Sequence, residues 1–270
     1  MRELNVAVVQ MEPELGKMEA NLGKMADFIS KIATAQPVDI IVFPELSVTG
    51  YEGGQRFAQM SQRVPGAVTN ILGQHATEFG VYVVIGMAVK EKVETVLFNS
   101  AVLIAPDGGV SGEYRKVHLQ AEERLIFRPG YRIKAEQTEL GTVGLMVGWD
   151  LTFPEVARSL VLEEAEILLL PAAWTMQNAD MWRTLLVARA YENDVFIAAA
   201  NRIGEEPSYE FAGQSAVLAP NGEVLAALEE PEEGYVVVRL DLDDVRHRRE
   251  ETQIMLARQP GSYRPIVKKY

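Results

Sequence analysis

The sequence predicts an α/β fold with two β-sheets covered by helices. Three observations carry that expectation. Short β-branched runs alternate with longer segments of helical period, two central runs are apolar almost throughout, as strands buried on both faces are, and two Pro-Asx-Gly turns each join a pair of β runs.

In chain order, NVAVVQM from Asn5 reads as a strand, Asn21 to Ala35 as a helix, IIVFPE from Ile40 as a strand, Thr69 to Phe79 as a helix and VYVVIGMAV from Val81 as a strand. The segment LFNSAVLIAPDGGVSGEYRKV turns through Pro106-Asp107-Gly108 and SAVLAPNGEVLAAL through Pro220-Asn221-Gly222, so both read as hairpins. Between them, TVGLMVGWD and AEILLLPAAW have the length of buried strands. The helix separating them opens at Pro154, whose fixed φ suits a first helical position, with Glu155 in the first turn where the helix dipole favours a carboxylate. The run EEPEEG, Glu229 to Gly234, reads as a solvated hairpin loop, and DDVRHRREETQIM from Asp243 as a charged helix. No stretch rich in Pro, Gly or Ser exceeds a turn, which predicts one domain over 1–270, with about 241–270 as a C-terminal helix and tail. In that tail Tyr263, Ile266, Val267 and Tyr270 stand on a polar background and need a surface to cover them, either the chain's own domain or a second subunit.

Composition narrows the function. Hydrophobic residues make up 48% of 270, enough for a buried core, which excludes disorder. Twenty-six basic against 38 acidic residues give a formal charge of -12, which opposes any phosphate-neutralising surface and removes nucleic acid as an expected partner. The start MRELNVAVVQMEPE is charged where a signal peptide needs an apolar core, and no run approaches the ~18 apolar residues of a membrane span; a cytoplasmic protein without a membrane partner is expected. There is no cysteine, and His75, His118 and His247 are scattered without ligand spacing, so a zinc site is not expected. His118, two residues beyond Lys116, reads as a hydrogen-bonded structural group near a strand end.

The sequence lacks a G-x-S-x-G elbow, S-x-x-K, a phosphate-binding G-x-x-x-x-G-K-[ST] and G-x-G-x-x-G. What remains is a set of polar residues where apolar runs end: Glu45 after DIIVFP, Lys116 after the first hairpin, and Asp150 after TVGLMVGW. Desolvation at such an edge raises a carboxylate pKa toward use as a base. A cation and a strand-to-helix turn nearby would add oxyanion stabilisation and backbone N–H donors. The nucleophile is missing from this set.

Four segments, FPELSVTGY (Phe43 to Tyr51), YRKVHL (Tyr114 to Leu119), GWDLTFPEVAR (Gly148 to Arg158) and RAYENDVFIAAANRIG (Arg189 to Gly204), together resemble the nitrilase superfamily of carbon-nitrogen hydrolases, in order from Asn5 to about Leu240. The resemblance implies a four-layer αββα sandwich, a Glu-Lys-Cys triad acting on nitriles, amides or carbamoyl compounds without metal or organic cofactor, and a homodimer or an assembly of dimers with the helix from Pro154 to Leu162 and the tail at the contact. It makes Glu45 the general base and Lys116 the oxyanion cation. A second glutamate precedes an aromatic-x-Pro-Gly turn, which in EERLIFRPG selects Glu123 over Glu122. Tyr51, Trp149, Ala173 and Trp174 fall where the family lines its pocket, and Asp150 of the same turn is assigned with them to substrate contact. The cysteine position of the family's C-[YW]-D turn holds Gly148, which has no side chain to attack a carbonyl. Either glycine has replaced a nucleophilic cysteine by design, which the persistence of Glu45, Lys116, Glu123 and Asp150 favours, or the chain is a natural pseudoenzyme that kept the pocket for binding. The expected function is hydrolysis of a small neutral or arylaliphatic amide to acid plus ammonia or amine, in a form inactivated at Gly148. Carbamoyl amino acids are disfavoured because no arginine directly follows Trp149-Asp150, and nitrile hydrolysis is the further alternative.

Overall fold

The computed structural model describes residues 2–91 and 96–268. Its first sheet contains β1 (Glu3–Gln10), β2 (Ile40–Val42), β3 (Tyr82–Lys90), β4 (Leu97–Ile104) and β5 (Val110–Arg115), and takes in β14 (Gly234–Asp241) beyond β1, in the order β14-β1-β2-β3-β4-β5. The second contains β6 (Ala135–Thr138), β7 (Gly141–Leu145), β8 (Ile167–Ala172), β9 (Phe196–Asn201), β12 (Ala216–Leu218) and β13 (Val224–Ala227), in the order β13-β12-β9-β8-β7-β6. Each sheet has a parallel centre, β1-β2-β3 and β7-β8-β9, flanked by antiparallel strands. Both expected hairpins are present, β4 with β5 and β12 with β13. A third, β10 (Ile203–Glu206) with β11 (Tyr209–Ala212), stands apart from the two sheets.

Period-two alternation in β1 explains the layering. Val6 and Val8 join Val143, Leu145 and Leu169 in the core between the sheets, whereas Ala7 and Val9 face the opposite way, toward α1 (Met18–Ala35) and α3 (Ala67–Phe79). Helix α1 presents Leu22, Met25, Ile29 and Ile32, a 3-4-3 spacing that forms one apolar stripe. On the far side, α5 (Pro154–Leu162) and α6 (Ala179–Asn193) cover the second sheet with Val156, Leu160, Trp182 and Leu186. The four-layer αββα sandwich follows. Short helices α2 (Phe57–Met60) and α4 (Glu123–Ile126) sit on connections, and α7 (Asp243–Thr252) and α8 (Ile254–Ala257) are followed by two 3-10 turns, Pro260–Ser262 and Arg264–Val267. Among the described residues no helix is long and apolar enough to cross a membrane.

One local expectation is corrected. Glu229 to Gly234 does not close a hairpin, because β13 and β14 are edge strands of different sheets. The segment crosses between the sheets, and the buried Gln10 holds it by donating to the carbonyls of Glu230 and Glu232 at 2.8 and 2.9 Å. In the tail, Ile266 and Val267 remain largely exposed while Tyr263 and Ile266 border a groove against Arg158 of α5; Tyr270 lies outside the described residues.

Candidate active site

The carboxyl ends of the parallel strands meet at one place between the sheets, where open α/β sheets build their sites. Glu45 lies three residues beyond β2 and Gly148 three residues beyond β7. The Glu45 amide donates to the carbonyl of Ala172, the last residue of β8, at 3.2 Å, so backbone from the two sheets is joined at the site itself. The chain turns sharply there: Leu46, Ala121 and Gly148 have φ of 49, 43 and 47°, in the left-handed region that residues with a Cβ rarely adopt. In β3, Gly86 permits this turn, since a Cβ there would press on Glu45 Cα and the Pro44 carbonyl.

Three charged side chains, each 5% exposed or less, form the centre. Lys116, just past β5, donates from Nζ to Glu45 Oε1 at 2.7 Å and to Glu123 Oε1 and Oε2 at 2.8 and 2.9 Å. Glu123 opens α4 and also accepts the Gln120 amide at 2.8 Å, while Glu122 is exposed; the geometry therefore separates the two adjacent glutamates as expected. Asn99 of β4 donates to Glu45 Oε1 at 2.7 Å and Glu123 Oε1 at 2.9 Å. Burial pushes the Glu45 carboxyl up and repulsion from Glu123 adds to this, against the opposing pull of Lys116. Burial works against the Lys116 ammonium, but Glu123 and Glu45 outweigh it and hold its pKa well above the usual lysine range.

A Cβ built on Gly148 would meet Glu45 Oε2 first. The space of a side chain at 148 is thus occupied by the carboxylate and is not an opening for water. Beyond it lies a cavity of about 300 Å³ whose lining includes Glu45, Lys116, Tyr51, Trp149, Ala173 and Trp174, with Tyr209, Asn178 and Met181 toward the mouth. Trp174 is fixed by its ring N–H on the Gly148 carbonyl at 3.1 Å and its backbone N–H on Asn201 Oδ1 at 2.7 Å. Tyr51 stands edge-on to Tyr209 and Phe211, and its backbone N–H rests on the buried Glu206 carboxylate, itself paired with buried Arg202.

Asp150 is the exception among the residues singled out in the sequence. Its carboxylate is fully buried and turned away from the cavity, accepting from Tyr114 Oη at 2.7 Å and from the His118 amide at 2.9 Å, with His118 Nδ1 at 2.7 Å. It ties the turn after β7 to the end of β5 and so to Lys116; it does not contact substrate space. His118 stacks on Phe153 at 3.5 Å between ring centroids and has the structural role expected of it. Asn99, Glu206 and Arg202 were not singled out in the sequence. Asn99 inside the apolar LFNSAVLI and Arg202 directly after the apolar strand FIAAAN were the available signals, and Glu206 carried none.

A family model described as carbon-nitrogen hydrolase matches residues 5–250. The chain belongs to the carbon-nitrogen hydrolase family. It is 38% identical over 254 residues to a nitrilase of Pyrococcus abyssi, covering 91% of this chain and 93% of that one. Among solved structures, a carbon-nitrogen hydrolase from Helicobacter pylori G27 is similar with a TM-score of 0.93 at 25% identity over 99% of each chain. A point mutant of the amidase from Nesterenkonia sp. AN1 is similar with a TM-score of 0.82 at 30% identity, covering 93% of this chain and 95% of that one; the structure of that mutant shows covalent addition of the acetamide moiety of fluoroacetamide at its active site cysteine.

Proposed function

We propose that this chain carries an amidase site of the carbon-nitrogen hydrolase family whose nucleophile is absent at Gly148, so that it binds small amides without covalent turnover. The observation that carries the reading is the placement of Glu45 Oε2 against the side-chain space of residue 148 while Oε1 is held by Lys116. With a thiol at 148, Glu45 takes its proton and the sulfur attacks the amide carbonyl. Lys116 and the Trp149 backbone N–H hold the oxyanion, and Glu45 returns the proton to the departing ammonia or amine. Water deprotonated by the same carboxylate then adds to the thioester, the C–S bond breaks to release the acid, and Glu45 returns the proton to the sulfur. Glycine offers no atom for the first step.

The cavity favours uncharged acyl groups. Glu45 and Lys116 are the charged residues among its described lining, and the ammonium already serves two carboxylates, while Tyr51, Trp149, Trp174 and Tyr209 supply aromatic wall. Burial pushes the Tyr51 hydroxyl well up, so it serves as a neutral donor. We also propose a homodimer that covers α5 and the tail.

The test is Gly148→Cys, assayed for ammonia release from aliphatic and aromatic amides, with nitriles in the same panel, and by mass spectrometry for an acyl adduct. The variant is expected to acylate and turn over, and the unmodified chain to bind the same amides without an adduct. Triad-type groups act as a unit, and loss of a nucleophile costs about 10⁴ to 10⁶ in rate in well-studied hydrolases. A cysteine variant that folds, binds amides and neither acylates nor releases ammonia would make the site a binding module.

A further inference from the structure

Glu45 has two carboxylate oxygens, and only one can face residue 148. Among the described residues its side-chain hydrogen bonds fall on Oε1, which accepts from both Lys116 and Asn99, whereas Oε2 lies in the space of a side chain at 148 and is the oxygen that must draw back to admit one. Lys116 alone would not fix this choice, because a flexible ammonium follows whichever oxygen approaches it. The Asn99 carboxamide is planar and short, and its two N–H bonds diverge toward the two glutamates, at 2.7 Å to Glu45 Oε1 and 2.9 Å to Glu123 Oε1. Its orientation is set by chemistry. Turning the amide over would aim its carbonyl oxygen at two carboxylates, so the N–H₂ must lie between them. Among the described residues the carbonyl oxygen of this 1% exposed residue has no hydrogen-bond partner.

The backbone of Asn99 adds a third connection. Its carbonyl accepts the Lys116 amide at 2.8 Å, continuing the β4–β5 pairing one residue past the end of β5. Register fixes the side chain from the other edge, where Asn99 pairs with Ala88 of β3. One residue in the middle of a sheet is therefore bonded to all three charged members of the site.

We propose that Asn99 is a positioning residue of this site: its carboxamide locks Oε1 of Glu45 to Oε1 of Glu123 and thereby reserves Oε2 of Glu45 as the proton-accepting oxygen toward position 148. The naming of Oε2 as the base rests on the amidase reading; the lock itself does not. The same two N–H bonds favour the ionised form of Glu45 against the burial that opposes it. The other charged or titratable groups acting on this carboxylate are Lys116, Glu123, Tyr51 and, from β10 and its approach, Arg202.

Two measurements on the full-length chain, the first on the unmodified protein and the second on an Asn99 variant, test the lock without any turnover. In the first, the carboxyl carbon of Glu45, assigned with Glu45→Gln, and the side-chain N–H₂ of Asn99 are followed by NMR across pH. Both Asn99 protons are expected to shift with the same midpoint as the Glu45 carbon; protons that ignore the titration would overturn the proposal. In the second, Asn99→Leu, similar in volume and without donors, is expected to raise the Glu45 midpoint by about one pH unit, since one unit corresponds to the differential strength of about one ordinary hydrogen bond. Lys116→Met serves as the positive control for a shift in the same direction. An unchanged midpoint in a folded Asn99→Leu protein refutes the lock. If that variant does not fold, the first measurement decides alone. In the Gly148→Cys background, Asn99→Leu should move the acid limb of kcat/KM upward and lower kcat more than it raises KM, whereas a merely structural loss would lower active protein and leave the profile in place. Absence of turnover in Gly148→Cys itself would count against the amidase reading and leave the titration result standing.

Discussion

Replacing Lys116 by Met removes the one ammonium that Glu45 and Glu123 share, and the consequence can be worked from the geometry. The lysine is 1% exposed and contacts three carboxylate oxygens at 2.7 to 2.9 Å. Breaking a buried ion pair by deleting one partner costs about 3–5 kcal/mol, because the other charge stays buried and uncompensated. At ~2–4 °C per kcal/mol for a chain of this size class, the melting temperature should fall by ~6–20 °C at pH 8. The effect should depend on pH with a definite sign. Glu45 has a folded pKa raised above its ordinary 4.5 by burial first and by Glu123 second, so the folded state holds its proton more tightly. Its contribution is most favourable below pH 4.5 and declines as pH rises toward the folded pKa. Lys116 lowers that pKa, so its removal raises it further and steepens the decline. Lys116 itself, with its pKa raised, contributes fully below 10.5 and loses that contribution only as pH climbs through the higher folded value. Urea unfolding of both proteins at intervals from pH 5 to 8 should therefore show a destabilisation that grows with pH. A loss below about 1 kcal/mol, the range of exposed ion pairs, or one independent of pH, would refute the argument that two buried charges depend on this ammonium.

Three further outcomes follow from geometry described above. Asp150→Ala strips the acceptor from Tyr114 Oη and the His118 amide and should cost about 3–5 kcal/mol, whereas Tyr114→Phe, which removes one bond, should cost about 1.5–3 kcal/mol; the reverse order in urea titrations would contradict the role assigned to Asp150. Gly86→Ala drives a methyl into the backbone at Glu45 and should destabilise by about 1–3 kcal/mol while weakening amide binding, read by calorimetry on the same samples; unaltered binding in a destabilised protein would separate Gly86 from the site. Light scattering at micromolar concentration should give a dimer, and truncation after Gln259, which removes Tyr263, Ile266 and Val267, should shift it toward monomer.

Elements whose formation depends on local pattern were legible in the sequence. The strands from Asn5, Ile40 and Val81 follow from β-branched runs, and the two hairpins from Pro-Asp-Gly and Pro-Asn-Gly, because those residues fix the turn through their own backbone preferences. Glu45 and Lys116 were legible as polar residues where apolar runs end, and Glu123 through the family resemblance, which places a glutamate ahead of an aromatic-x-Pro-Gly turn. Asp150 was legible as a position but not in its direction. Adjacent residues of a tight turn point different ways, and only the arrangement of β5 shows that its carboxylate serves Tyr114 and His118. Asn99 escaped notice because one polar residue in LFNSAVLI has meaning only once Glu45, 54 positions away, is beside it. The strand following EEPEEG was misplaced for a related reason: strand propensity says nothing about which sheet will receive β14, and that choice was made by its eight-residue pairing with β1.

The backbone bond from Glu45 to Ala172 has an implication for folding order. Glu45, Lys116 and Glu123 arrive with the first sheet, while Gly148, Trp149 and Trp174 arrive with the second, so neither half of the chain can assemble a competent cavity on its own. Amide affinity thereby becomes a gauge of whether the two halves have docked. A ligand held there at about 100 times its Kd adds about 2.7 kcal/mol against their separation. Hydrogen exchange at the Glu45 amide should slow in proportion, while amides on the outer faces of α1 and α3 keep their own pace.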